Sequence, residues 1–261
     1  MKRVRKSARE PQELTDNRAR FAHAPTMPTW DKFKKATPTM LTWDKFKKAT
    51  RRREPVKSRL RDDQRGLCVY CESKLAPGNE SVEHFIPRSA KHGDELAWSN
   101  LLLCCAGGER PALDDVSDLG AQNPDKTCGH AKGNNPEPIL NPLEIPAFPR
   151  LFRFDSETGA IHPDIECCAV AGLDVALVEQ TIQVLNLRAT YLNRARQAVL
   201  DVLLRQSEAD TDVPAFSLER SFRIAAEQIP ATGQLPAFFT AIRWFLGQGA
   251  ERHLRAVGFV G

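Results

Sequence analysis

The sequence predicts an α+β fold, mainly helical, in which a small metal-stapled module lies between a basic N-terminal arm and a C-terminal helical region. Three observations carry this. Cysteines and histidines at ligand spacing are concentrated in residues 68–132. Residues 1–60 hold 18 Lys and Arg against 6 Asp and Glu, whereas residues 61–261 hold 19 against 27. Leu177, Ile182, Leu185, Leu192, Val199 and Leu203 keep a helical stripe across residues 174–206. The expected divisions are residues 1–54 for the arm, 55–146 for the module, and 147–261 for a hairpin and helices that offer a partner interface.

A chain of 261 residues that is 41% hydrophobic can bury a proper core. It contains no run of about 18 apolar residues to span a bilayer, and its basic start lacks the apolar stretch of a signal peptide. A cytoplasmic location is therefore expected. Seven cysteines leave one unpaired in any disulfide framework, and cytosolic thiols stay reduced, so metal binding is the better use for them. The charge asymmetry points to a basic arm that meets phosphate; a solvated tail, or docking on an acidic protein, is the plainer alternative.

Residues 1–28 are basic and Pro-punctuated without apolar period, which predicts an extended or partly disordered arm. TWDKFKKAT then occurs at residues 29–37 and again at 42–50, a tandem duplication with a period of 13. Each copy offers a Trp, a Phe and three Lys, a mixture of stacking faces and cations suited to nucleic acid; Lys34, Lys35, Lys47 and Lys48 are the candidate contacts. The alternative is that one Trp packs on the core. Val56, Leu60 and Gln64 predict a short amphipathic helix over residues 55–66, stopped at Gly66. Residues 80–86 read as a strand halted by Pro87, and residues 96–105 as a second apolar stretch. A Gly-, Pro- and Asp-rich insertion, residues 106–127, precedes Cys128. Beyond Pro-rich residues 136–149, residues 152–161 read as a hairpin about a turn at 155–159. Residues 174–206, 217–228 and 235–246 read as helices, the last crowded with Phe238, Phe239, Ile242, Trp244 and Phe245.

Cys68-x-x-Cys71 is half of a tetrahedral zinc site, since two thiolates at this spacing can wrap one ion that needs four. Cys105 and Cys128 are expected to complete it, with Cys104 the rival of Cys105. A redox role for the pair would need a strand–helix setting that is not evident. Cys167 and Cys168 have no His at ligand spacing and read as core or surface thiols. Hydrolysis of a phosphodiester needs a base for water and a cation for the phosphate charge. Glu83-His84 supplies a carboxylate and an imidazole, which a strand sends to opposite faces unless it is twisted or bulged there. Asn100 can pin the intervening loop, and His130 can give a second metal ligand. Each residue has an ordinary reading, as a surface pair or a turn cap.

Taken together, Gln64–Glu72, Val82–Arg88, Trp98–Cys105, Cys128–Asn134, Ile139–Pro142 and Thr181–Leu187 resemble the HNH endonucleases of ββα-metal fold, in particular the subgroup associated with retrons and the Septu anti-phage system, the PtuB-like nucleases. The resemblance implies His84 as general base, Glu83 as a ligand of a catalytic divalent cation such as Mg²⁺, Asn100 as the middle Asn, and Cys68, Cys71, Cys105 and Cys128 on structural zinc. It further implies a role in anti-phage defence beside an ABC/SMC-type, PtuA-like ATPase and a retron reverse transcriptase with its non-coding nucleic acid. The family places His or Asn directly after the last Cys, where this chain has Gly129. His130 is thus displaced by one, with Asn134 its rival as third catalytic residue. Arg88 and Lys132 are expected to meet phosphate, of DNA or RNA. The competing classes are a zinc-stapled nucleic-acid-binding module without catalysis and a subunit that regulates an ATPase.

Overall fold

The computed structural model describes residues 1–21, 43–87, 96–107, 126–209, 214 and 216–261. Two small antiparallel strand pairs are embedded among helices: α1 (Gln12–Phe21), α2 (Trp43–Asp63), β1 (Glu80–His84), β2 (Leu101–Cys105), α3 (Cys128–Lys132), β3 (Phe152–Phe154), β4 (Ile161–Pro163), α4 (Ile165–Val170), α5 (Val175–Val184), α6 (Thr190–Ala209), α7 (Leu218–Gln228) and α8 (Phe239–Ala256). This is an α+β fold, mainly helical. No helix among the described residues is long and apolar enough to cross a membrane.

The β1–β2 ladder runs in unbroken register, from Glu80 opposite Cys105 to His84 opposite Leu101. All five residues of β2 are buried, because LLLCC has no polar face to present to water. Its outer edge is closed by Gln64, whose side-chain amide accepts from Leu103 N (2.7 Å) and donates to Leu103 O (2.7 Å) and Leu67 O (2.9 Å). A fully buried amide thus satisfies the Leu103 amide and shares the Leu103 carbonyl with Val69 N (3.2 Å). The sequence reading had Gln64 only on the helical stripe.

The helix expected over residues 55–66 is α2, which starts earlier, at Trp43, and carries Pro55 inside at the loss of one ladder bond. The second copy of the duplication therefore opens this helix, while the first copy lies outside the described residues. The beginning of the chain is anchored rather than extended. Met1, Val4 and Leu14 are buried, Val4 N donates to Pro142 O (2.8 Å), and the Lys6 ammonium lies 3.8 Å from the centre of the Trp98 ring while bonding Leu101 O. Apolar side chains spaced through a basic segment produce this without any sustained period.

The predicted hairpin is β3–β4. The stripe over residues 174–206 forms two helices, α5 and α6, parted at Asn186, which adopts φ 46°; continuous periodicity does not register a break whose two halves both face the core. Ser217 caps α7 by accepting from Arg220 N (3.2 Å). The aromatic segment expected over residues 235–246 becomes the longer α8, kinked at Gly247. Its Phe239, Ile242 and Leu246 are buried in the chain's own core.

A buried carboxylate ties α8 to the Cys68–Cys71 loop. Glu72 accepts from Thr240 N (2.7 Å) and from Thr240 Oγ1 (2.5 Å), and lies 3.3 Å from the Met1 amino group, so it caps the exposed amides at the start of α8 from a distant part of the chain. Glu72→Ala should lower stability by about 3 kcal/mol, because it strands buried donors that have no other partner; equilibrium urea unfolding checks this, and Glu72→Gln should lose less.

Candidate functional site

Three segments far apart in sequence bring four sulfurs together. The Sγ atoms of Cys68, Cys71, Cys105 and Cys128 all lie within 4.8 Å of one another, and all four residues are buried. The separations are 3.8 Å for Cys68–Cys128, 3.7 Å for Cys71–Cys105 and 3.7 Å for Cys105–Cys128. An ion held at about 2.3 Å, the usual zinc–thiolate length, sets tetrahedral edges of about 3.8 Å. The donor set therefore fits a tetrahedral metal ion. Cys104 stands apart, its Sγ 3.3 Å from Ser81 Oγ. Burial, and then the charge of Glu83, push the Cys104 thiol pKa up. Bonds from Cys128, Cys68 and Cys71 pull that of Cys105 down. The choice left open between neighbouring cysteines falls to Cys105 because strand alternation sends the two to opposite faces.

The last cysteine needs support, since Cys128 adopts φ 55°, a left-handed conformation that costs a residue with a side chain about 1 kcal/mol. Its amide donates to Leu185 O (2.9 Å). Asn186 Nδ2 donates to Lys126 O (3.0 Å), and Thr127 Oγ1 and Tyr191 OH are 2.6 Å apart. The break between α5 and α6 is thus the seat of Cys128. Thr181 Oγ1 accepts from Leu140 N (2.9 Å), which joins residues 139–142 to residues 181–187. Those two downstream motifs serve the metal centre as scaffold, a role that spacing cannot reveal.

Beside the cluster lies a polar site on β1. The ladder has no bulge, and Glu83 and His84 address opposite faces on the last two rungs of the strand. Glu83 Oε1 accepts from Lys132 Nζ (2.7 Å) and from Tyr70 OH (3.2 Å). Burial, and next the charge of Glu83, push the Tyr70 phenol pKa well up, so it remains a donor. A Cβ on Gly129 would stand 2.5 Å from Glu83 Oε2, so the glycine is what leaves that oxygen room. Position 129 therefore faces Glu83, but it brings no ligand.

Asn100, 6% exposed, pins the loop that leaves β1: Ile86 N donates to its Oδ1 (2.6 Å), its Nδ2 donates to Ile86 O (3.2 Å), and Phe85 N donates to its carbonyl (3.0 Å). This is the role expected of it. His84 is buried and His130 half-buried; the His130 side chain packs where Gly107 lacks a Cβ, which would lie 3.0 Å from His130 Cβ. Lys132, expected at phosphate, is instead 4% exposed with its ammonium turned inward on Glu83. Arg88, Lys34 and Lys35 lie outside the described residues, as do the side chains of Lys47 and Lys48 on α2. Asn134 follows α3 in the turn beyond Gly133. Cys167 is partly exposed and Cys168 buried on α4, away from the cluster.

No protein-family model matches the chain. Over 221 residues it is 31% identical to Retron Ec83 putative HNH endonuclease of Escherichia coli, an alignment spanning 77% of this chain and 79% of that one. The chain belongs to the HNH endonuclease family. In that light the missing side chain at Gly129 is a departure within the family's own motif, and the four-cysteine cluster is the part of it that the structure assembles most completely.

Metal analysis tests the division of labour among the cysteines. Cys105→Ser should lose the bound ion and unfold at much lower denaturant, because a structural metal supplies folding energy directly. Cys104→Ser should keep the wild-type metal content by plasma mass spectrometry.

Proposed function

We propose that this HNH family member is a metal-dependent endonuclease that hydrolyses nucleic-acid phosphodiester bonds, on a ββα-metal module formed by β1, β2 and α3 and stapled by zinc on Cys68, Cys71, Cys105 and Cys128. The observation that carries the reading is the placement of Glu83 and His84 on the last two rungs of β1, with Asn100 fixing the chain just beyond them. His84 is the general base that takes a proton from the attacking water. Glu83, with His130, would hold a divalent cation such as Mg²⁺, which supplies charge stabilisation at the phosphate and the leaving oxygen. Asn100 keeps the loop from drifting relative to the strand, so the water and the phosphate meet the imidazole in one geometry.

The kinship with a retron protein supports a role as effector nuclease in anti-phage defence of the retron or Septu type, in the cytoplasm, beside an ABC/SMC-type ATPase and a reverse transcriptase with its nucleic acid. Arg88 and the lysines of the duplicated segment, Lys34, Lys35, Lys47 and Lys48, are the proposed phosphate contacts, consistent with the excess of basic residues over residues 1–60.

The zinc-loaded protein, alone and with its ATPase, is to be incubated with plasmid DNA and with RNA in Mg²⁺. Wild type should cleave, and His84→Ala should be slower by at least about 100-fold, as loss of a general base demands, while retaining its zinc and its affinity for nucleic acid. Equal rates in the two proteins would remove His84 as the base. Absence of cleavage with intact binding would favour a non-catalytic zinc-stapled binding module.

A further inference from the structure

The network beneath Glu83 holds more than hydrolysis asks of Glu83 and His84 themselves. Lys132 is the last residue of α3, and its side chain is 4% exposed. Its ammonium lies 2.7 Å from Glu83 Oε1 and 2.9 Å from the carbonyl oxygen of His84. One cation therefore bonds two successive residues of β1, the side chain of the first and the main chain of the second. Tyr70, from the Cys68–Cys71 loop and fully buried, donates to the same oxygen of Glu83.

A lysine meant for the phosphate backbone keeps its ammonium in water. Burying it costs several kcal/mol unless it is paired and bonded, and here both partners belong to the proposed catalytic pair. The consequence for Glu83 is directional. Oε1 is tied inward by two donors, while Oε2 lies on the side where Gly129 has no side chain.

We propose that Lys132 is a positioning residue. It turns Glu83 so that Oε2 is presented to a divalent cation, and through the His84 carbonyl it fixes the rung from which the imidazole projects. The assignment rests on the reading of Glu83 as a metal ligand, and it gives the lysine of the Cys128–Lys132 helix a task other than phosphate contact.

The test is calorimetric titration of Mn²⁺ into the zinc-loaded full chain, with zinc content and circular dichroism measured on every sample. Lys132→Met should weaken Mn²⁺ by about 10–100-fold, the usual effect of losing a group that orients a ligand, with zinc content unchanged. Lys132→Arg should restore part of the affinity, and Tyr70→Phe should cost less than Lys132→Met. Unchanged or tighter Mn²⁺ binding in Lys132→Met overturns the proposal, the tighter case showing that the ammonium competes with the metal. If Lys132→Met does not fold, unchanged affinity in both Lys132→Arg and Tyr70→Phe overturns it equally. Wild type that binds no Mn²⁺ overturns the metal-ligand reading of Glu83 itself, and the positioning role falls with it.

Discussion

The structure depends on the convergence of four thiols. Cys68 and Cys71 come from the loop after α2, Cys105 from the end of β2 and Cys128 from the start of α3, and their sulfurs meet at tetrahedral spacing in a buried site. Every other feature of the site is referred to that point. The loop that carries Cys68 and Cys71 also carries Tyr70 to Glu83 and Glu72 to α8. The helix that opens with Cys128 closes with Lys132 against Glu83 and His84. An ion there would fix these backbones together, so that metal geometry and active-site geometry are one constraint.

Much of this was legible from residue type and spacing. Cys68-x-x-Cys71 announces itself because metal ligands come from a short menu, the strand expected over residues 80–86 is β1, and the apolar stretch 96–105 holds β2. The family resemblance extended the reading to the downstream motifs. What was not legible is whatever depends on a partner distant in sequence. Gln64 looks like any polar residue near a helix end until Leu103 is beside it. Lys132 looks like a phosphate contact because an ammonium is exposed by default, and the carboxylate of Glu83 with the carbonyl of His84 reverses that preference. The break at Asn186 was hidden by a stripe that both helices continue, and the anchoring of residues 1–21 by the absence of any periodicity to read.

The C-terminal helices illustrate the same point. A segment crowded with Phe and Trp must be covered, by the chain itself or by a partner, and Phe239, Ile242 and Leu246 are buried within the chain, packed with Phe259, Leu254 and their neighbours. Aromatic density signals that a face must be covered, and the molecule supplies that cover for most of α8 itself.

The seat of Cys128 on the α5–α6 break has a bearing on how this protein can be divided. Its amide is satisfied by Leu185, and the carbonyl of Lys126, two residues earlier, by Asn186, while Pro142 is bonded by Val4. A fragment cut to residues 55–146 would keep all four cysteines and lose the contacts that hold one of them in its left-handed turn. The segment is therefore not a cassette: transplanting it into another protein, or swapping it between relatives, would have to carry the helix junction near residue 186 and the first few residues of the chain along with it.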